Sequence, residues 1–307
     1  MTETPDTTPL TTPDASTSAS TDPSTDPSTG TGAPSTTVGE SSLTGATPGR
    51  PFALVTGASS GIGLELAGQL ADEGHDLLVV AEDDGLTIAA DALRGHGADV
   101  LEVKADLRTG AGVDAVWTAV TGSGRSLDVV ALNAGIGLGG PFLETDITDE
   151  ISIIDLNVVA NIRLAKLVLR SMVARGSGKV LVTSSIASSM PGTYQSVYNG
   201  SKSFLQSFAE ALQEELKDTG VTITILMPGP TETNFFARAG MLATNVGRGK
   251  KDDALLVAKQ GLQALKDGKA KIVAGSVMTK LQGAANTVLP DAVKAKAHRK
   301  MAEPSSE

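Results

Sequence analysis

From Pro51 onward the chain alternates short, predominantly apolar runs with longer segments whose apolar residues recur at helical spacing. The runs are Phe52–Thr56, Leu77–Ala81, Val100–Val103, Leu127–Leu132, Lys179–Thr183, Val221–Met227 and Lys271–Val273. A strand open to water on one face alternates apolar and polar residues, whereas a strand covered on both faces does not. The runs therefore predict a buried parallel sheet. Between them lies Gly61–Glu73, with Ile62, Leu66 and Leu70 on one side and Gly74 as its stop. Two further helices are predicted over Ile151–Arg175 and over Ser196–Asp218, the latter ending near Gly220. The expected fold is α/β: a Rossmann-like doubly wound parallel sheet of about seven strands with helices on both faces, spanning residues 51–300 as one domain.

The first fifty residues obey a different rule. They are mostly Thr, Ser, Pro, Asp and Gly, with a local repeat TDPSTDPST at 21–29. Too few apolar residues are present to offset the entropy of ordering, so residues 1–50 read as a disordered, solvating leader. A docking or phosphorylation segment is the alternative. Lacking a basic n-region and an apolar h-region, it is not read as a signal peptide, and with Arg50 as its only basic residue it is not a transit peptide. The leader carries −5 of the net charge of −10.

Composition then excludes several classes. With no cysteine, disulfides and thiolate metal sites are ruled out, and His75, His96 and His298 lack ligand spacing, so no metal is expected. The acidic balance argues against nucleic acid. No apolar run approaches the roughly 20 residues that cross a bilayer. No membrane partner and a cytoplasmic location are the expectation.

The first strand runs straight into Gly57-Ala58-Ser59-Ser60-Gly61-Ile62-Gly63 and then a helix. In that context backbone N–H groups and the helix dipole can hold a pyrophosphate. Gly57 permits the turn, Gly61 admits the phosphates, and Gly63 lets helix pack on strand. Further along, Tyr198 and Lys202 stand four apart on a helical pattern, so they project from one face. A phenol of pKa ~10 is a poor acid–base catalyst near neutrality until a nearby positive charge stabilises its phenolate. Lys202 supplies one.

The flanked turn TGASSGIG, the Tyr198/Lys202 pair and their order resemble the short-chain dehydrogenase/reductase family in its compact single-domain form, over nearly all of residues 51–280. The resemblance implies that Ser185, thirteen residues before Tyr198 and beyond the strand KVLVTS, orients a substrate carbonyl. Ser184 is its neighbour and competitor, and the family's interval selects Ser185. Asn157, in DLNVVAN, matches the asparagine that completes the family's tetrad through a proton-relaying water; Asn161 is not used by that pattern. Asp106, with Leu107 beside it, matches the adenine-contacting acid. Asn133-Ala134-Gly135 matches the family's NNAG with Leu132 in place of its first Asn, a departure that bears on sheet and loop stability. The PGxxxT-like stretch Pro228, Gly229, Thr231 and Thr233 matches the nicotinamide end.

The activity so implied is an NAD(P)-dependent oxidoreductase acting on a small secondary alcohol or carbonyl compound, with Tyr198 as general acid/base and a homodimer or homotetramer as the assembly. A non-catalytic NAD(H)-binding or regulatory protein is the alternative. An epimerase of the family's larger form is disfavoured by glycine spacing and by the little room left after residue 280. For the cofactor, Glu82 follows the second strand where adenosine ribose is expected. An acid there repels a 2′-phosphate of about −1.5 to −2 charges, and Ser60 lacks the positive charge common in NADP users. NAD is therefore favoured over NADP, unless Glu82–Asp84 merely cap the following helix. Met190, Pro191, Thr193, Tyr194 and Gln195 are expected to border the pocket. So is the lid-like segment Thr231–Leu242, where Phe235, Phe236 and Met241 form either an apolar wall or ordinary packing. The basic run KAKAHRK reads as a solvated helix end, with an anionic surface as the alternative.

Overall fold

The computed structural model describes residues 49–303, so the reading of the leader, Gly49 and Arg50 apart, lies outside the described residues. The seven strands are β1 (Phe52–Thr56), β2 (Asp76–Ala81), β3 (Val100–Lys104), β4 (Val129–Leu132), β5 (Gly178–Thr183), β6 (Val221–Pro228) and β7 (Lys271–Ala274). All pair in parallel in the order β3-β2-β1-β4-β5-β6-β7. The first helices are α1 (Gly61–Asp72), α2 (Gly85–Gly95), α3 (Gly110–Gly122), α4 (Ile147–Ile154), α5 (Asn161–Arg175) and α6 (Ser196–Glu215). After β6 come two single turns, α7 (Phe235–Arg238) and α8 (Asn245–Arg248). The last three are α9 (Ala254–Lys266), α10 (Val277–Val288) and α11 (Asp291–Ala302).

Each strand sends alternate residues to opposite cores. On one face Leu54, Leu78, Val130, Val180 and Ile223 pack against Val113 and Val116 of α3, Leu164 and Val168 of α5, and Leu205 of α6. On the other, Val55, Leu77, Val79, Ala131 and Leu181 meet Leu66 and Leu70 of α1, Leu86 of α2, and Val257 and Leu262 of α9. This two-sided burial is why the runs of the central strands are predominantly apolar. The strand order reverses beside β1, between β1 and β4, and a parallel sheet opens a crevice at the carboxyl ends of its strands at such a point.

One helix differs from expectation. The segment predicted over Ile151–Arg175 begins at Ile147 and is interrupted by a π-helical stretch, Asp155–Ala160, that contains Asn157. A π turn inserts one residue and frees carbonyls from the regular ladder. Asn161 answers that local need: its Nδ2 donates to the Leu156 carbonyl at 3.3 Å and to the Asn157 carbonyl at 2.9 Å.

Candidate active site

A single cavity runs along the carboxyl ends of the strands. It is lined by Gly57 after β1, Glu82 after β2, Ala105 after β3, Asn133 after β4, Ser184 after β5 and Gly229 after β6. Ser59, Ser60, Gly61, Ile62, Asp106, Leu107, Ala134, Gly135, Ser185, Tyr198, Lys202, Pro228, Thr231 and Thr233 line it as well. Of the residues singled out from sequence, Gly63 and Asn157 stand behind the wall.

The turn is shaped by its glycines. Gly57 has φ +69°, and its N–H donates to the Val80 carbonyl at 2.8 Å. Gly63 acts by packing: a Cβ there would lie 2.0 Å from the Gly57 carbonyl oxygen. Ser60, the residue before α1, is extended and its side chain makes no cap bond, so the first-turn N–H groups of α1 are without a side-chain acceptor. Asn133 fixes the floor. It donates from Nδ2 to the Thr56 carbonyl at 3.1 Å and accepts from the Thr183 hydroxyl at 3.1 Å, clipping β1, β4 and β5 together.

Tyr198 and Lys202 share the inner face of α6. Burial pushes the Tyr198 phenol up to about 12, and the Ser185 hydroxyl beside it works in the opposite direction. Burial pushes the Lys202 ammonium down to about 8. Its Nζ donates to the Thr183 carbonyl at 3.0 Å and lies 5.8 Å from the centre of the Tyr198 ring. For Tyr198, desolvation thus outweighs the help that the Ser185 hydroxyl gives the phenolate.

The two serines part company. Ser184 gives its hydroxyl to the Lys202 carbonyl at 2.9 Å and is buried. Ser185 accepts from the Ala187 N–H at 3.1 Å, and its own proton faces the Pro228 carbonyl over a long 3.4 Å bond as well as the neighbouring Tyr198 phenol. Its proton is the one free to change partner. Asn157 is fully buried. Its Oδ1 accepts from the Ile136 N–H at 3.0 Å, while Nδ2 donates to the Ile136 carbonyl and the Ser201 hydroxyl, both at 2.9 Å. A Cβ at Gly135 would meet Asn157 Oδ1 at 3.1 Å and Lys202 Nζ at 3.2 Å.

At the ribose end each acid has its own partner. Glu82 Oε2 lies 2.6 Å from Arg108 Nη2, Asp83 accepts from Ser59 at 2.7 Å, and Asp84 pairs with Lys104. Arg108 also donates to Asp106 Oδ1 at 2.8 Å. The Arg108 guanidinium therefore offsets the repulsion that Glu82 alone would exert on a phosphate. Sequence reasoning overlooked Arg108 because nothing in the run KADLR says that its side chain folds back across β2. It also passed over Arg238, which lines the cavity and donates to Ser60 at 3.5 Å.

The pocket border is part as expected and part different. Met190, Gln195, Phe235 and Phe236 line the cavity, whereas Pro191, Thr193 and Tyr194 do not. Met241 is a packing residue, fully buried with Phe236, Ala239 and Ala302. A wall from α10 and α11 (Gln282, His298, Met301 and Ala302) was not foreseen. The one signal available was the isolated histidine in a basic run.

No cluster of three or more His, Cys, Asp or Glu that would hold a metal occurs among the described residues. Nor is any helix among them long and apolar enough to cross a membrane.

The fold, the turn and the Tyr198/Lys202/Ser185 group define a nucleotide-binding α/β protein. The profile of the short chain dehydrogenases matches residues 51–241, and the chain belongs to that family. It is 32% identical over 177 residues to a ketoacyl reductase of Nostoc, a match covering 57% of this chain and 62% of that one. It is 36% identical over 196 residues to human 17-beta-hydroxysteroid dehydrogenase type 1, covering 62% and 59%. The chain thus spans about three-fifths of these relatives' lengths. Among solved structures it resembles a short-chain dehydrogenase of Sphingobium yanoikuyae in complex with NADPH. That match has TM-score 0.69 and 27% identity, and covers 84% of this chain and 98% of the other.

Proposed function

We propose that the protein is an NAD(P)-dependent oxidoreductase. It transfers a hydride between a nicotinamide and the carbon of a secondary alcohol or carbonyl substrate, with Tyr198 as general acid and base. One observation carries the reading: the Tyr198, Lys202 and Ser185 side chains open into the same cavity as the glycine turn at the switch point of the sheet. The residues there fit a dinucleotide, with the uncapped start of α1 for phosphates and Glu82, Arg108 and Asp106 for the adenosine. When bound, the nicotinamide supplies or accepts the hydride.

The chain's residues do the rest. In reduction the Tyr198 phenol donates its proton to the carbonyl oxygen as charge develops there. Burial raises the phenol pKa and so holds that proton on Tyr198 near neutral pH. Ser185 exchanges its long bond to Pro228 for one to the same oxygen, a donor positioned where charge appears. In oxidation the phenol must first lose its proton, and the Lys202 charge favours that form. Lys202 Nζ spends one proton on Thr183 and retains two for ribose hydroxyls. Asn157 holds the backbone at Ile136 and, through Gly135, the space around Lys202.

The cofactor is NAD or NADP; the Glu82–Arg108 pair supports use of both more than Glu82 alone does. A homodimer or homotetramer belongs to the same proposal, supported by exposed Ile147, Ile151, Ile162 and Phe204 on α4, α5 and α6. So does a cytoplasmic location. The test is a panel of ketones and secondary alcohols with NADH, NADPH and their oxidised forms, followed by nicotinamide absorbance. Tight cofactor binding with no turnover in either direction would make the regulatory reading the better one.

A further inference from the structure

The cavity has a wall that the glycine turn and the catalytic group do not explain. It comes from α11, which lies beyond the segment matched to the family. The helix is fastened to the loop after β5. Lys294 Nζ donates to the Ser189 carbonyl at 2.9 Å, Thr193 Oγ1 donates to the Ala295 carbonyl at 3.1 Å, and the Arg299 guanidinium lies 5.6 Å from the Tyr194 ring centre. Tyr194 has φ +66°, the one positive φ outside glycine among the described residues. A residue held in that region costs free energy and persists only where its surroundings fix it.

His298 is the polar group this arrangement delivers. It is 5% exposed and lines the cavity, while its neighbours Lys296, Arg299 and Lys300 face water. Its Nδ1 lies 2.9 Å from the Thr193 carbonyl oxygen. A carbonyl only accepts, so Nδ1 carries the proton, and burial holds the ring below its ordinary pKa and therefore neutral. Nε2 is left as a bare acceptor, and it bonds none of the described residues. The cavity wall that α11 joins carries Phe235, Phe236, Val246, Met301 and Ala302, with Gln282 of α10 as a further polar lining residue. A fixed acceptor in a mostly apolar wall discriminates strongly, because a ligand without a donor leaves it unpaired.

Resting on the oxidoreductase reading, we infer that His298 determines substrate specificity. Its Nε2 accepts a hydrogen bond from a hydroxyl carried by the substrate away from the reacting carbon. The substrate class is then an apolar ketone or secondary alcohol with a second hydroxyl.

The test uses the full chain and a homologous series of 2-alkanones, each with and without a terminal hydroxyl, so that chain length scans the unknown span. Wild type is expected to favour the hydroxylated member at one or more lengths by roughly tenfold or more in kcat/KM. His298→Leu should bring that ratio close to one. His298→Gln can donate to Thr193 and still present an acceptor, so it should restore part of the ratio and guards against a fold defect in the leucine variant. Equilibrium binding of the same pairs in the presence of cofactor is measured in parallel. Absence of any preference in wild type, or a preference that His298→Leu leaves intact, overturns the assignment. Hydroxyl-selective binding that depends on His298 but comes without turnover upholds it, and sinks the oxidoreductase reading instead.

Discussion

At the scale of single residues, the site places two groups where desolvation opposes their charge. Lys202 is the instructive one. Its folded value of about 8 lies below the ordinary 10.5, so the folded protein resists a charge that the unfolded chain carries freely. Between those two values the unfolded state binds more protons, and stability rises with pH across that window; below about 8 the full cost is present. Lys202→Met should therefore raise unfolding free energy at neutral pH by about 1–3 kcal/mol, after allowing for the lost bond to Thr183. Denaturant melts at neutral and at alkaline pH check this, the gain fading as pH approaches 10.5. Turnover of the same variant should collapse. Tyr198→Phe removes only the phenolic oxygen, so cofactor titration should be near wild type while steady-state rate falls by roughly 10²–10⁴-fold; rates near wild type would remove Tyr198 from the mechanism. Arg108→Ala leaves Glu82 without its guanidinium. NADPH affinity should drop by roughly tenfold relative to NADH, in line with an uncompensated acid near a 2′-phosphate, and equal losses for both cofactors would count against that reading.

At the scale of elements, the strands and the glycine turn were legible because their causes are local or periodic. Two-sided burial writes itself as predominantly apolar runs, and Gly57 and Gly63 answer to a backbone angle and a close approach within one turn. The π stretch was not legible. Nothing in DLNVVAN distinguishes six π residues from a regular helix, since the deviation is set by what Asn157 must reach across the fold at Ile136 and Ser201. The role of Asn161 follows only once that stretch exists. Asn161→Leu keeps the branching and heavy-atom count of the side chain but removes both carbonyl bonds, leaving a buried acceptor short of a partner at a cost of about 1–3 kcal/mol. If the π geometry depends on Asn161, kcat should fall along with Tm. A stability loss with unaltered kcat would show that the stretch is held by its other contacts. The wall from α10 and α11 was illegible for a different reason. Helical spacing says which side of α11 is apolar, but not that the helix docks beside residues a hundred positions earlier.

At the scale of the molecule, the sheet divides its tasks between its two ends. The carboxyl ends carry the cavity, and the amino ends carry a buried ionic tie. Asp76, 1% exposed at the start of β2, accepts from Arg125 Nη1 at 2.8 Å and from the Asp99 N–H at 3.0 Å, and pairs with Arg50 Nε at 3.0 Å. Arg125 also donates to the Arg50 carbonyl at 2.9 Å and stacks 4.5 Å from the Phe52 ring centre. The tie holds the chain entering β1 against the start of β2. We propose that residues 1–48 contribute to neither folding nor turnover, because their composition offers no core. Deleting them should leave Tm and specific activity essentially at the full-length values. Deleting two residues more removes Arg50, including the carbonyl that Arg125 uses. Arg125 still compensates Asp76, and Arg50 is over a quarter exposed, so the cost should be about 1 kcal/mol rather than that of an orphaned buried charge. For a domain of this size that is a fall of roughly 2–4 °C. Thermal melts of the two truncations against the full chain separate the possibilities. A large loss already at the shorter deletion would mean that the leader docks on the domain, and identical melts for both would mean that Arg125 alone satisfies Asp76.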